Sequence, residues 1–189
     1  MNHNVVDLFL PCARGCAALL VSECLAILGR MPGDTGIRPG RSGVFVRGDA
    51  VDAMRLNLHS RLAQRVLWPL TQGAYRDEDD LYDLARSVDW RDWITPDETL
   101  RVDTTAVRSP LQSLKFASLR IKDAVCDQWR EASGERPSVD TREPHLSILL
   151  HLNADHAPLY ADTSGEPLFK RGWRDARVAG GRDEAHGEA

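Results

Sequence analysis

The chain has 189 residues, 42% of them hydrophobic and 28% charged. That is one domain or two small ones sharing an interface, with too much apolar weight for a disordered chain. Basic residues number 24 against 28 acids, a net charge of −4, so there is no bulk polycation and any site for a polyanion must be a local patch.

Val5 to Leu10 is a short apolar run stopped by Pro11, which predicts a buried strand. From Gly15 the period becomes helical, with Leu19, Leu20, Cys24, Ile27 and Leu28 in phase and Gly29 as the C-cap. Arg30 to Gly43 holds two prolines and four glycines and reads as a loop, followed by a strand at Val44–Val46 that ends at Gly48-Asp49. Ala50 to Leu62 predicts a second helix with Met54, Leu58 and Leu62 on one side, and Arg65 to Leu70 a strand. Asp77-Glu78-Asp79-Asp80 opens an acidic helix reaching about Val88, its carboxylates where a helix N-terminus favours negative charge. Leu100 to Val107 alternates as a half-buried strand, and a long helix follows over about Leu111–Glu131. Ser147–Leu152 and Pro158–Asp162 are strands joined by a hairpin-like Asn153-Ala154-Asp155-His156 turn. After Trp173 the chain turns polar, and residues 175–189 are expected to be disordered for want of an apolar face. The result is a mixed α/β (α+β) fold with a small N-terminal unit over residues 1–51 and a second unit over 52–163.

The longest near-apolar stretch, Ala17–Leu28, is interrupted by Ser22 and Glu23 and falls short of the ~20 residues a membrane span requires. Met1-Asn2-His3-Asn4 offers no basic lead for a signal peptide, so a cytoplasmic location is expected. Cys12, Cys16, Cys24 and Cys126 contain no C-x-x-C pair and read as reduced thiols. His145, His151 and His156 lack metalloprotease order. No G-x-G-x-x-G, Walker loop, G-x-S-x-G elbow or N-P-P-Y loop occurs, so no catalytic residue, cofactor site or metal site is assigned.

Charge is distributed unevenly. Arg76 to Asp103 carries ten acids and four bases, −6, whereas Arg108 to Lys122 carries four bases and no acid, +4. Only three lysines occur, and two of them, Lys115 and Lys122, lie seven apart in the basic run. On a helix that spacing returns to the same face. The opposite face, Leu114, Ala117, Ile121, Ala124, Val125 and Trp129, is the expected core side. The basic face is either merely solvated or in contact with a phosphate backbone.

Leu8-Phe9-Leu10-Pro11-Cys12-Ala13-Arg14-Gly15-Cys16 through Leu28-Gly29 resembles the opening of the bacterial 23S rRNA guanine-N2 methyltransferases that carry a THUMP domain. Further matches follow in order at Gly43-Val44-Phe45, Gly48-Asp49, Leu58 to Leu70, Lys115 to Asp127, Arg136 to Asp140 and Ser164 to Arg174. The resemblance implies a ferredoxin-like N-terminal unit packed on a THUMP domain of residues 52–163, with 164–174 a return strand or linker. It implies RNA binding, to structured 23S rRNA, through Arg61, Arg65, Lys115, Arg120, Lys122 and Arg136. In that family a downstream domain binds S-adenosylmethionine and methylates guanine N2. Here the segment leading into that domain is replaced by Asp175-Ala176-Arg177 and a polar tail, so methyl transfer is expected to need a separate domain or chain. Two other classes remain open: a small metal-dependent enzyme using His151 and His156, and a protein-interaction adaptor using Asp77–Asp83.

Overall fold

A computed structural model describes residues 4–170. The strands are β1 (Val6–Pro11), β2 (Ile37–Pro39), β3 (Gly43–Gly48), β4 (Leu67–Ala74), β5 (Thr99–Ala106), β6 (Ser138–Val139), β7 (Leu146–Leu152) and β8 (His156–Asp162). The helices are α1 (Ala17–Leu28), α2 (Ala50–His59), α3 (Glu78–Arg86) and α4 (Leu114–Ser133). All eight strands join one sheet in the order β2-β3-β1-β4-β8-β7-β5-β6. The first half is antiparallel; β5 runs parallel to β7 and β6, as a strand returned by a helical crossover must.

Side-chain alternation shows where the helices lie. Leu8 opposes Val46, Trp68 opposes Ala161, Ala161 opposes Ile148 and Ile148 opposes Val102, so these residues share one face of the sheet. That face carries both hydrophobic cores. One joins Leu8, Leu10, Val44 and Val46 to Leu20 and Cys24 of α1 and to Ala53 and Leu56 of α2. The other joins Leu100, Ile148, Leu150 and Leu159 to Leu81 and Ala85 of α3 and to Ala117, Ile121 and Val125 of α4. Trp68 on β4 packs against both cores. All four helices of the described residues therefore cover the same face, and among the described residues no helix lies on the opposite one.

The local chemistry accounts for the ends of the elements. Asp49 accepts from the Val51 and Asp52 amides at 2.9 and 3.0 Å and caps α2. Asp77 does the same for α3 through the Asp79 and Asp80 amides. Gly134 closes α4 at φ 79°, in the left-handed region that glycine adopts without strain. A Cβ at Gly43 would sit 2.2 Å from the Leu10 carbonyl oxygen, so only glycine admits this close β1–β3 approach.

Several boundaries differ from expectation. Helix α2 ends at His59, because Ser60 is extended and donates its Oγ proton to Glu23 Oε2 at 2.6 Å. Its buried residues are Ala53 and Leu56, while Met54 and Leu58 are 61% and 70% exposed. A unit boundary after residue 51 falls inside α2, whose inner face belongs to the N-terminal core. Ile37–Pro39, expected as loop, pairs with β3 as an edge strand. Residues 164–170 form no strand: the Leu168 amide donates to the Gln64 carbonyl at 2.9 Å and its side chain is buried in the N-terminal core. Residues 171–174 and the tail over 175–189 lie outside the described residues. Among the described residues no helix is long and apolar enough to cross a membrane.

Candidate nucleic-acid interface

Strand β5 delivers the chain to the loop 107–113, which leads into α4. The Val107 amide donates to the Leu152 carbonyl at 2.8 Å, extending the β5–β7 pairing into the loop. Tyr75, buried at the end of β4, donates its hydroxyl to the Asn153 carbonyl oxygen at 2.5 Å, and its oxygen lies 2.8 Å from Ser109 Oγ. Ser109 Oγ accepts from the Leu111 amide at 3.1 Å, and Ser113 Oγ from the Phe116 amide at 3.2 Å. Within this frame Arg108 takes φ 60°, the one non-glycine residue with positive φ among the described residues. That backbone is unfavourable for a β-carbon side chain, and the hydrogen bonds around it hold it there. Arg108 and Lys115 are exposed, and no acid stands in the first turn of α4. Along the chain, Arg108 lies in the loop before the helix and Lys115 in its first turn, and the N-terminal end of a helix itself favours anions.

The six expected contacts do not form one patch. Arg61 and Arg65 lie on the α2–β4 connection beside the N-terminal core, while Lys115, Arg120 and Lys122 lie on α4 and Arg136 just after it. Arg61 is exposed, its backbone amide donating to Glu23 Oε1 at 2.9 Å. Arg65 is an internal ion-pair partner. Its guanidinium pairs with Asp162, whose side chain is 5% exposed, and donates to the Gly165 carbonyl at 2.9 Å. Burial pushes the Asp162 carboxyl above the usual carboxylate range, against the pull of the Ser164 amide and Arg65.

The α4 residues divide between two sides of the helix. Arg120 turns toward α3, pairs with Asp79 at 2.6 Å and stacks its guanidinium 4.5 Å from the Tyr82 ring centroid. Tyr82 donates to Asp127 at 3.0 Å, and Arg86 pairs with Glu131 at 2.6 Å. Lys122 turns the other way and pairs with Asp123 at 2.7 Å, its side chain only 27% exposed. The segment after Gly134 runs back beside it, where Cys126 Sγ lies 3.7 Å from the Pro137 carbonyl oxygen. Lys115 and Lys122 thus share a helical phase but not an environment. Lys115 and Arg136 are exposed and have no side-chain partner among the described residues. Leu114, expected in the core, is 37% exposed, because the first turn of α4 overhangs the sheet. Arg108, in the basic run but not among the six expected contacts, is marked out by its backbone conformation and exposure.

His151 Nδ1 lies 2.8 Å from Thr105 Oγ1, a cross-strand pair in the β5–β7 register. Burial lowers the His151 pKa. Among the described residues no three His, Cys, Asp or Glu side chains converge to hold a metal ion.

The RlmL ferredoxin-like domain family matches residues 7–67, and the THUMP domain family matches residues 75–162. The chain carries an RlmL ferredoxin-like domain followed by a THUMP domain. The ribosomal RNA large subunit methyltransferase K/L of Syntrophotalea carbinolica is 37% identical over 169 residues, 89% of this chain and 23% of that protein. Its counterpart in Saccharophagus degradans is 35% identical over 175 residues, 92% of this chain and 22% of that protein. The chain therefore spans less than a quarter of the length of these curated relatives. A crystal structure of a "predicted N6-adenine-specific DNA methylase" from Listeria monocytogenes shares the fold, with a TM-score of 0.77 at 24% identity. That likeness covers 92% of this chain and 44% of the other. The THUMP match takes in β5, the 107–113 loop and the whole of α4.

Proposed function

We propose that the chain is an RNA-binding module whose primary grip is the electropositive start of α4. The observations that carry this reading are Arg108, exposed at φ 60° in a hydrogen-bonded loop, and the exposed Lys115 in the acid-free first turn of the 20-residue helix that this loop enters. Two cations and the helix end form a rigid claw for phosphate oxygens, and counterion release supplies the free energy. Such contacts fix position without reading sequence, which suits recognition of structured RNA by shape. Arg136, past the far end of α4, and Arg61, on the α2–β4 connection, are separate outlying contacts. Arg65, Arg120 and Lys122 serve through their ion pairs. The methyltransferase relatives support ribosomal RNA of the large subunit, 23S rRNA, as the target. Their methyl donor, S-adenosylmethionine, acts in a part of the protein that a separate domain or chain supplies. The cytoplasm, where ribosomes are assembled, is the matching location.

Filter binding to a structured 23S rRNA fragment tests this reading. Arg108→Ala and Lys115→Ala are each expected to weaken binding several-fold and by similar factors on unrelated structured RNAs, with no change in melting temperature. Undiminished binding by both variants would overturn it.

A further inference from the structure

Among the described residues no helix covers the sheet face opposite the four helices, and its centre is aromatic rather than charged. Phe45 on β3 and Phe9 on β1 lie side by side, ring centroids 4.9 Å apart and planes tilted by 36°. Phe9 and Tyr160, reaching across β4 from β8, are 6.0 Å apart with a tilt of 31°. Leu67, opposite Phe9 in register, contacts neither core yet is 1% exposed, so the rings on this face shield it. The rings themselves are half-buried and held in place by their neighbours.

Beside this row is a cavity of about 320 Å³ lined by Asp7, Arg38, Phe45, Pro69, Gln72 and Tyr160 among others. That is the small end of ligand-sized pockets, about 300–1,000 Å³, and too small for a helix. The Arg38 guanidinium lies 5.3 Å from the Phe45 ring centroid and pairs with Asp7 at 2.8 Å, which fixes a planar cation at the rim. Gln72 is exposed at the same rim, with an amide free of partners among the described residues. The cavity thus offers aromatic walls for a flat ring and, at its edge, an amide, a carboxylate and a guanidinium for hydrogen bonds. Arg38, Arg47, Arg65 and Arg101 outnumber Asp7, Asp103 and Asp162 on this face, in a chain whose net charge is −4.

We propose that this face binds an unpaired nucleobase of the bound RNA, taken into the Phe45–Tyr160 cavity, with Arg38 and Gln72 at its edge. Stacking on aromatic side chains tolerates any base, because every base has a π-face. The proposal rests on the RNA reading above for its ligand class but uses a different surface, so the two can fail separately.

The probes are an RNA hairpin and the same hairpin carrying a short unpaired tail, titrated by fluorescence anisotropy against the whole chain. The tail is expected to tighten binding about 5- to 150-fold, the range for one stacked base. Phe45→Leu and Tyr160→Leu keep apolar volume but remove the π-surface; each should abolish that gain and leave hairpin affinity unchanged. Arg38→Ala, at a half-exposed side chain that can be lost without unfolding, should reduce the gain in part. Lys115→Ala should weaken both probes equally. A tail that adds nothing, or a gain that survives both leucine variants in folded protein, overturns the proposal. Binding of the tailed probe alone would support the platform and refute the grip at α4, and binding of neither probe would refute both. A dimer that dissociates on Phe45→Leu, with the tail gain intact, would make the face an interface between copies and overturn the proposal.

Discussion

Helix α1 carries a single charged side chain, Glu23, whereas the α3–α4 pair is tied by charged contacts along its length. Glu23 is used locally: its carboxylate accepts from Ser60 Oγ and from the Arg61 and Leu62 amides, organising the turn that leads into β4. Between α3 and α4 the acids of one helix meet the bases and hydroxyl of the other at Asp79–Arg120, Tyr82–Asp127 and Arg86–Glu131. The two halves share a sheet and a layer plan but treat charge differently. A raw count of basic residues on α4 overstates what can reach a ligand, because Arg120 is already held within the protein. Lys115 stays exposed in the first turn, and Arg108 is exposed in the loop before it.

The two cores are expected to form one cooperative unit through β4 and Trp68, which packs against both. Leu56→Ala in the first core and Ile121→Ala in the second, both at fully buried positions, should each cost roughly 2–5 kcal/mol. Calorimetry should show one transition that moves as a whole in either variant. Two transitions, with one shifted and one fixed, would split the molecule into independent halves.

A smaller effect is expected where the halves meet. Arg65→Ala leaves the buried Asp162 carboxylate without its cation and should cost about 3 kcal/mol at neutral pH, the low end for a broken buried pair. The sign with pH is definite. Burial raises the folded-state pKa of Asp162 above its unfolded value, so the cost of the charged form is fully present above the folded pKa. It fades as pH falls through that pKa and is gone below the unfolded value, and the variant should approach the parent's stability there. Asp162→Asn in the same background should restore stability at neutral pH. A loss that stays constant down to pH 3 would show that packing, not charge, is at stake.

The smallest stability effect belongs to the charged contacts of α3 and α4. Asp79 is 85% exposed, so Arg120→Ala and Asp79→Ala in a double-mutant cycle should give a coupling of ~0–1 kcal/mol. A coupling of several kcal/mol would make this pair a structural anchor.

The expected elements agree with the structure wherever the signal is local. The helical phase of α1 with Gly29, the acidic start of α3 and the Asn153–His156 turn all have their partners within a few residues. Features that depend on distant partners were not visible. Ile37–Pro39 is a strand only because β3 lies beside it, and the prolines and glycines of the 30–43 segment around it otherwise read as loop. The partner of Arg65 is 97 residues away. Met54 and Leu58 look like an inner stripe, yet Ala53 and Leu56 turn inward onto the N-terminal core. The basic run on α4 was evident, but the cover over Lys122 comes from a segment that turns back after Gly134. The aromatic row on the bare face joins strands that are not consecutive in the chain, so no periodicity announces it.

The central claim is that Arg108 and Lys115 each neutralise an RNA phosphate. Its most direct test is the slope of log affinity against log salt for the parent, Arg108→Ala and Lys115→Ala on one 23S rRNA fragment. Each variant should lower the magnitude of that slope by about 0.7–0.9, one lost contact, while Arg120→Ala leaves it unchanged. Slopes identical to the parent's in both variants would contradict the account and leave the start of α4 a solvated surface.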